Sequence, residues 1–156
     1  MTVLRTRLAY AALAACGSLT FLGCARSSAV SGPAAPPAFL LGSFTDDYGS
    51  RYTISAREWT QGSRARYRIV RWDVAGQFAI AQNDAGNPSD PGLWTRIDWL
   101  PLPGMSPYTW GYCYSAYKAP SAAIAETVSV AKRSVPRTGC NGFPFSRMRA
   151  VADSGK

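Results

Sequence analysis

From Phe39 onward, apolar and polar residues alternate in short runs, broken about every ten residues by Gly, Pro, Asn or Asp. A side-chain period of two marks half-buried β-strands. Phe39–Asp46 is the first such run, and Asp47-Tyr48-Gly49-Ser50 closes it as a turn. Arg51–Ser55 follows, with Tyr52 and Ile54 on one face. Ala65–Trp72 alternates Ala65, Tyr67 and Ile69 against Arg66 and Arg68; the phase then slips, because Val70 and Trp72 are apolar and Arg71 is not. A one-residue slip predicts a β-bulge there. Val74-Ala75-Gly76-Gln77 reads as a hairpin turn into Gln77–Gln82, where Phe78 and Ile80 align. Leu93–Leu100 sets Leu93, Thr95, Ile97 and Trp99 against Trp94, Arg96 and Asp98. Pro101–Pro107 breaks that run, and Tyr108–Tyr114 puts Tyr108, Trp110, Tyr112 and Tyr114 on one side. A last strand falls near Phe143–Arg149.

One segment has a different period. Pro120–Lys132 is Ala-rich, with Ile124, Val128 and Ala131 spaced at three to four, which predicts a helix. Lys132 and Arg133 suit its C-terminal end. The pattern as a whole is mainly β. It fits a small antiparallel barrel or meander of about six to eight strands, with one short helix near the C-terminus.

The N-terminus is not part of that pattern. Arg5 and Arg7 precede an uncharged stretch, Leu8–Gly23, which is short for a membrane span and suited to a secretory signal. It ends Thr20-Phe21-Leu22-Gly23-Cys24. This resembles the bacterial lipoprotein signal, in which a small residue precedes a lipidated Cys. A rival match, Leu13-Ala14-Ala15-Cys16, has a shorter apolar stretch before it. Lipidation at Cys24 removes Cys16 with the signal and leaves Cys113 and Cys140 as one pair; lipidation at Cys16 leaves Cys24 as an odd exported thiol. An ordinary cleaved signal without lipid is the third reading. Ala25 follows Cys24; the resemblance then implies an outer-membrane anchor, because Asp at that position marks inner-membrane retention in the family. The organisation is therefore signal 1–23, a Pro/Ala/Ser tether 24–38, one domain 39–150 and a tail 151–156, with neither an internal repeat nor a second domain.

Composition narrows the chemistry. The 156 residues contain no His, which excludes His-based triads and imidazole acid–base catalysis. Export into an oxidising compartment and an even count predict a Cys113–Cys140 disulfide; a catalytic thiol would have no His to activate it. Without Arg5 and Arg7, 15 basic residues face 9 acidic ones, a charge of +6, and 12 of the 15 are Arg. Arg64, Arg66, Arg68 and Arg71 are the densest basic cluster. Export argues against nucleic acid as its partner and favours an anionic lipid or glycan surface, or an envelope protein. A plain solvated strand face is the simpler reading.

The remaining candidates are weaker signals. Asp46, Asp47, Glu58 and Asp98 are the carboxylates open to a hydrolase reading, which needs two of them to converge. Asn83, Asp84, Asn87 and Asp90 offer oxygen ligands in a loop, but not in the EF-hand order, so a polar loop is expected, without metal or cofactor. The aromatics, Trp94, Trp99, Trp110 and Tyr112 among them, could line a cavity for a small hydrophobic or glycan ligand, or fill the core.

Gly42-Ser43-Phe44-Thr45-Asp46-Asp47-Tyr48-Gly49-Ser50-Arg51-Tyr52-Thr53-Ile54 is similar to the opening hairpin of avidin-type and lipocalin-like barrels. The resemblance implies a hairpin at a barrel mouth, with Asp46, Tyr48 and Ser50 at ligand-facing positions. Asp46 departs from the neutral amide of that family: a carboxylate accepts hydrogen bonds and does not donate them. Trp110–Tyr114 together with Thr138–Phe145 also resembles bacterial lipoproteins of no assigned activity. The expected function is therefore that of a lipid-anchored exported protein, binding a ligand or scaffolding the envelope without catalysis. The alternatives are a carboxylate hydrolase and an interaction module acting through the Arg-rich strand.

Overall fold

The computed structural model describes residues 35–151. The signal, Cys16, Cys24, most of the tether and the tail beyond Val151 lie outside the described residues. Eight strands run β1 (Gly42–Asp46), β2 (Arg51–Ile54), β3 (Glu58–Gln61), β4 (Ala65–Asp73), β5 (Phe78–Asn83), β6 (Trp94–Pro101), β7 (Trp110–Ala119) and β8 (Ser146–Ala150). Each pairs antiparallel with its sequence neighbour, and β8 returns to β1 through Phe44↔Ala150 and Asp46↔Met148, closing a barrel. Closure gives every strand a partner on each side.

The alternation sorts as expected. Phe44, Tyr52, Ile54, Trp59, Ile97, Trp99, Trp110, Tyr112 and Met148 point inward and form one continuous core. Trp59 and Trp110 are 0% exposed and Trp99 and Tyr52 2%, so side chains fill the interior. A short 3₁₀ turn at Ala38–Leu40 adds the fully buried Leu40 to that core. The rings meet edge to face, Trp59 on Trp110 at 86° and Phe44 on Trp110 at 87°, the arrangement that the ring quadrupoles favour.

The bulge falls where the phase slips. Ile69 pairs with Ala81, and the register then jumps to Arg71↔Ile80 and Trp72↔Ala79. The extra residue lets Ile69 and Trp72 both enter the core while Val70 and Arg71 stay outside.

Several boundaries differ from those expected: Phe39 and Leu40 lie in the 3₁₀ turn and not in β1, Tyr108 precedes β7, and the last strand begins at Ser146 and not near Phe143. Strand β3 is an addition: Glu-Trp-Thr-Gln is four residues with one apolar side chain, too short to show a period. Strand β7 runs on to Ala119. The helix, α1, spans only Ala122–Thr127, with the Ser121 hydroxyl accepting from the Ile124 N–H. The β-branched Val128 and Val130 lower helix propensity, and Ala131 is drawn into a bridge with Cys140. The Cys113–Cys140 disulfide is formed, with Cα atoms 5.5 Å apart. It fastens the segment after α1 onto the outside of β7.

That segment and α1 cover one outer face of the barrel. Ala125 packs with Phe78, Ile80, Ala116 and Ala119; Ala131 and Cys140 pack with Leu100, Leu102, Cys113 and Phe145. The outer faces of β8 and β1–β4 carry mostly polar, solvent-facing side chains instead.

Candidate binding surfaces

Asp46 is 4% exposed and turns inward at the end of β1. Its Oδ1 accepts from the Tyr48 N–H at 3.0 Å and the Ser50 N–H at 2.7 Å, which shapes the β1–β2 turn. Its Oδ2 accepts from the Tyr52 hydroxyl at 2.9 Å, and Tyr52 lies 2.7 Å from the Tyr112 hydroxyl. With the Tyr52 proton directed at the carboxylate, Tyr112 is the donor of that second bond. Asp46, Tyr48 and Ser50 therefore do not converge: Asp46 organises the turn from within, and Tyr48, 73% exposed, stands outside it.

Four phenols share this interior. Burial, followed by the neighbouring Tyr112, holds Tyr52 far above the ordinary phenol range. Burial also pushes Tyr112 up to about 12, raises Tyr67 and holds Tyr114 well above its usual value. The unfolded chain therefore releases these protons first. The stability they confer is fully present below about pH 10 and is lost as the pH climbs towards the folded values, by up to ~1.4 kcal/mol per pH unit for each phenol. Urea midpoints should therefore fall steeply above pH 10, and the phenolate absorbance of these four should appear together with unfolding. A phenolate signal from them in the folded protein would contradict this.

The other sequence candidates disperse. Trp99, Trp110 and Tyr112 are in the filled core, whereas Trp94 faces outward and packs beside α1. Asp47 accepts from the Arg147 backbone N–H at 3.1 Å and from its Nε at 2.8 Å, and that bond raises the Arg147 pKa. Glu58 stands 3.7 Å from Arg66 on the outer surface. In the β5–β6 loop, Asn83 bonds the Asp90 and Tyr117 carbonyls, Asn87 clamps Arg66, and Asp84 takes the Gly86 N–H.

Asp98 is fully buried between β6 and the covering segment. Arg96 grips it with Nε at 2.8 Å and an Nη at 3.0 Å, Arg133 adds an Nη at 2.6 Å, and the Ser115 hydroxyl donates a fourth bond. Arg96 also donates to the Glu126 carbonyl at the end of α1 and lies 3.9 Å over the Phe78 ring. Arg133 donates to the carbonyls of Trp99, Gly76 and Gln77. The four candidate carboxylates are thus committed to four separate sets of partners. Nothing in the sequence reading foresaw this network; the only signal was the Arg96–Asp98 spacing, which puts both on one strand face.

The basic cluster is split. Arg66 and Arg68 project from the outer face of β4, Arg68 donating to Gln82 at 2.7 Å. Arg64 sits in the β3–β4 turn, and Arg71, beyond the bulge, pairs with Glu126 at 2.6 Å.

Two concavities flank Tyr48. One, about 590 Å³, is lined by Leu102, Met105, Pro136, Pro144 and Phe145 together with Arg137, Arg147 and Asp47. Its walls are largely apolar, and its size suits a small ligand. The other, about 490 Å³, is polar and lies between the β1–β2 and β3–β4 turns. No family model, curated protein or solved structure matches the chain.

Proposed function

We propose that the chain is an exported, lipid-anchored protein of the bacterial envelope that binds a hydrophobic ligand on the outside of its barrel and carries out no bond-making chemistry. The observation that carries this reading is the filled interior. With Trp59, Trp99 and Trp110 buried in the core, an apolar ligand is left an external concavity, the groove of about 590 Å³ that Tyr48 lines. Its floor, Leu102 and Phe145, is held from below by the disulfide-bonded cluster, and Met105 supplies an adaptable wall. The commitment of Asp46, Asp47, Glu58 and Asp98 to separate partners supports binding over hydrolysis.

The neutral fluorophore N-phenyl-naphthylamine tests the site. The full chain should bind it saturably, and Met105→Glu, at a 39% exposed position, should weaken binding about tenfold by placing a charge in the groove. Saturable binding that ignores Met105→Glu would remove the groove from the reading. Intact mass of the protein from bacterial membranes tests the anchor. A mature chain starting at Cys24 with diacylglyceryl mass is expected, and one without it would end the lipoprotein reading.

A further inference from the structure

We infer that the polar cleft on the other side of Tyr48 receives an oxyanion, so that the molecule bound is an amphiphile with a phosphate-type head and an apolar body. The inference rests on the groove reading and adds the chemical class of its ligand. The cleft is formed where two hairpin turns approach each other. Arg51 opens β2, Arg64 lies in the β3–β4 turn, and both line the cleft together with Ser50, Ser63, Gln61 and Tyr48.

No carboxylate lines this cleft. The ion pairs of the described residues engage Arg66, Arg71, Arg96, Arg133 and Arg147; Arg51 and Arg64, like Arg57, Arg68, Arg137 and Arg149, stand outside them. Two guanidinium groups with free donors, beside serine hydroxyls, match the several acceptor oxygens of a phosphate. A third cation lies on the neighbouring outer face. Thr45 stands opposite both Arg51 on β2 and Arg149 on β8, so Arg149 lies two strands from Arg51, across β1, on the same outer face. The outward side chains of β1, β2 and β3 there are Ser43, Thr45, Arg51, Thr53, Glu58 and Thr60.

Tyr48 joins the two concavities. It lines the cationic cleft on one side and the apolar groove on the other. The Asp46 carboxylate holds the Tyr48 and Ser50 N–H groups, so the ridge between them is fixed and not a mobile loop tip. An anionic head at Arg51 and Arg64 would place an attached apolar body across Tyr48 towards Met105 and Phe145.

A matched pair of probes decides it: neutral N-phenyl-naphthylamine and its sulfonate, anilinonaphthalene sulfonate. The full chain should bind the sulfonate at least about tenfold more tightly than the neutral probe, consistent with charge-assisted hydrogen bonds. Inorganic phosphate at millimolar concentration should erase that advantage. Arg51→Gln/Arg64→Gln should erase it too while leaving the neutral probe unaffected, and Arg57→Gln/Arg68→Gln, which removes the same charge elsewhere, should not. Equal affinity for the two probes would overturn the headgroup inference and leave the groove standing; binding of neither would overturn both. An advantage lost equally in both double variants would reduce the cleft to a general charge effect. Phosphate binding at Arg51 and Arg64 that does not compete with the sulfonate would make it a site for free phosphate and overturn the amphiphile.

Discussion

Asp98→Ala should destabilise the barrel by about 3–5 kcal/mol, the range found when one partner of a buried ion pair is removed. Asp98 has no exposed surface, and the Arg96 side chain is 7% exposed. Deleting the carboxylate leaves Arg96 under α1 facing Ser115 with no counter-charge. Arg133, 28% exposed at its side chain, can partly recover solvent, so Arg133→Ala should cost less, about 2 kcal/mol. The loss from Asp98→Ala is a large part of the roughly 5–15 kcal/mol net stability of a domain. Urea denaturation of the two variants measures both. The triple replacement Arg96→Met/Asp98→Leu/Arg133→Met should recover much of the loss, because an apolar cluster avoids desolvating three charges. If Asp98→Ala unfolds at the same urea concentration as the parent, the network is not the clamp described above.

Breaking Cys113–Cys140 should cost about 3.5 kcal/mol, the loop-closure entropy of the 27-residue separation. For a domain of this size the melting temperature should fall by roughly 15 °C. The bond acts on the same covering segment as Arg133, so its loss frees that segment while β1–β5 keep their own pairing. Groove binding should weaken more than the core melts, because Phe145 belongs to the disulfide cluster. Thermal melts of the Cys113→Ala/Cys140→Ala variant test this, and an unchanged melting temperature would show that the cover is held by packing alone.

The disulfide followed from parity together with the expectation of export. Asp98 looked like an ordinary outward residue on a clean strand, because alternation reports which face a side chain takes and not what later covers it. The same limit applies to Asp46. Its place beside a turn was visible, but its inward rotation onto Tyr52 depends on a hydroxyl six residues away. Tyr48 and Ser50 were singled out from a local resemblance, and both do line the polar cleft, yet with Arg51 and Arg64 and not with Asp46. Arg51 stands apart from the Arg64–Arg71 run in the chain, so no local pattern marks it.

Local chemistry along the chain was enough for the β class, the phase of most strands, the bulge after Ile69 and the Cys113–Cys140 partnership. Each of these depends on neighbours within a few residues, or on counting. Long-range pairing decided the rest. Closure of β8 on β1 aligned Arg149 with Thr45 and Arg51; the fold of the covering segment buried Asp98; and the meeting of two hairpin turns made a cleft from Arg51 and Arg64. The physical reason is that period-two alternation sets only the inside and outside of a strand. Which outside remains open, and which charges share it, follows from strand order, register and cover, and these arise only once distant segments have paired.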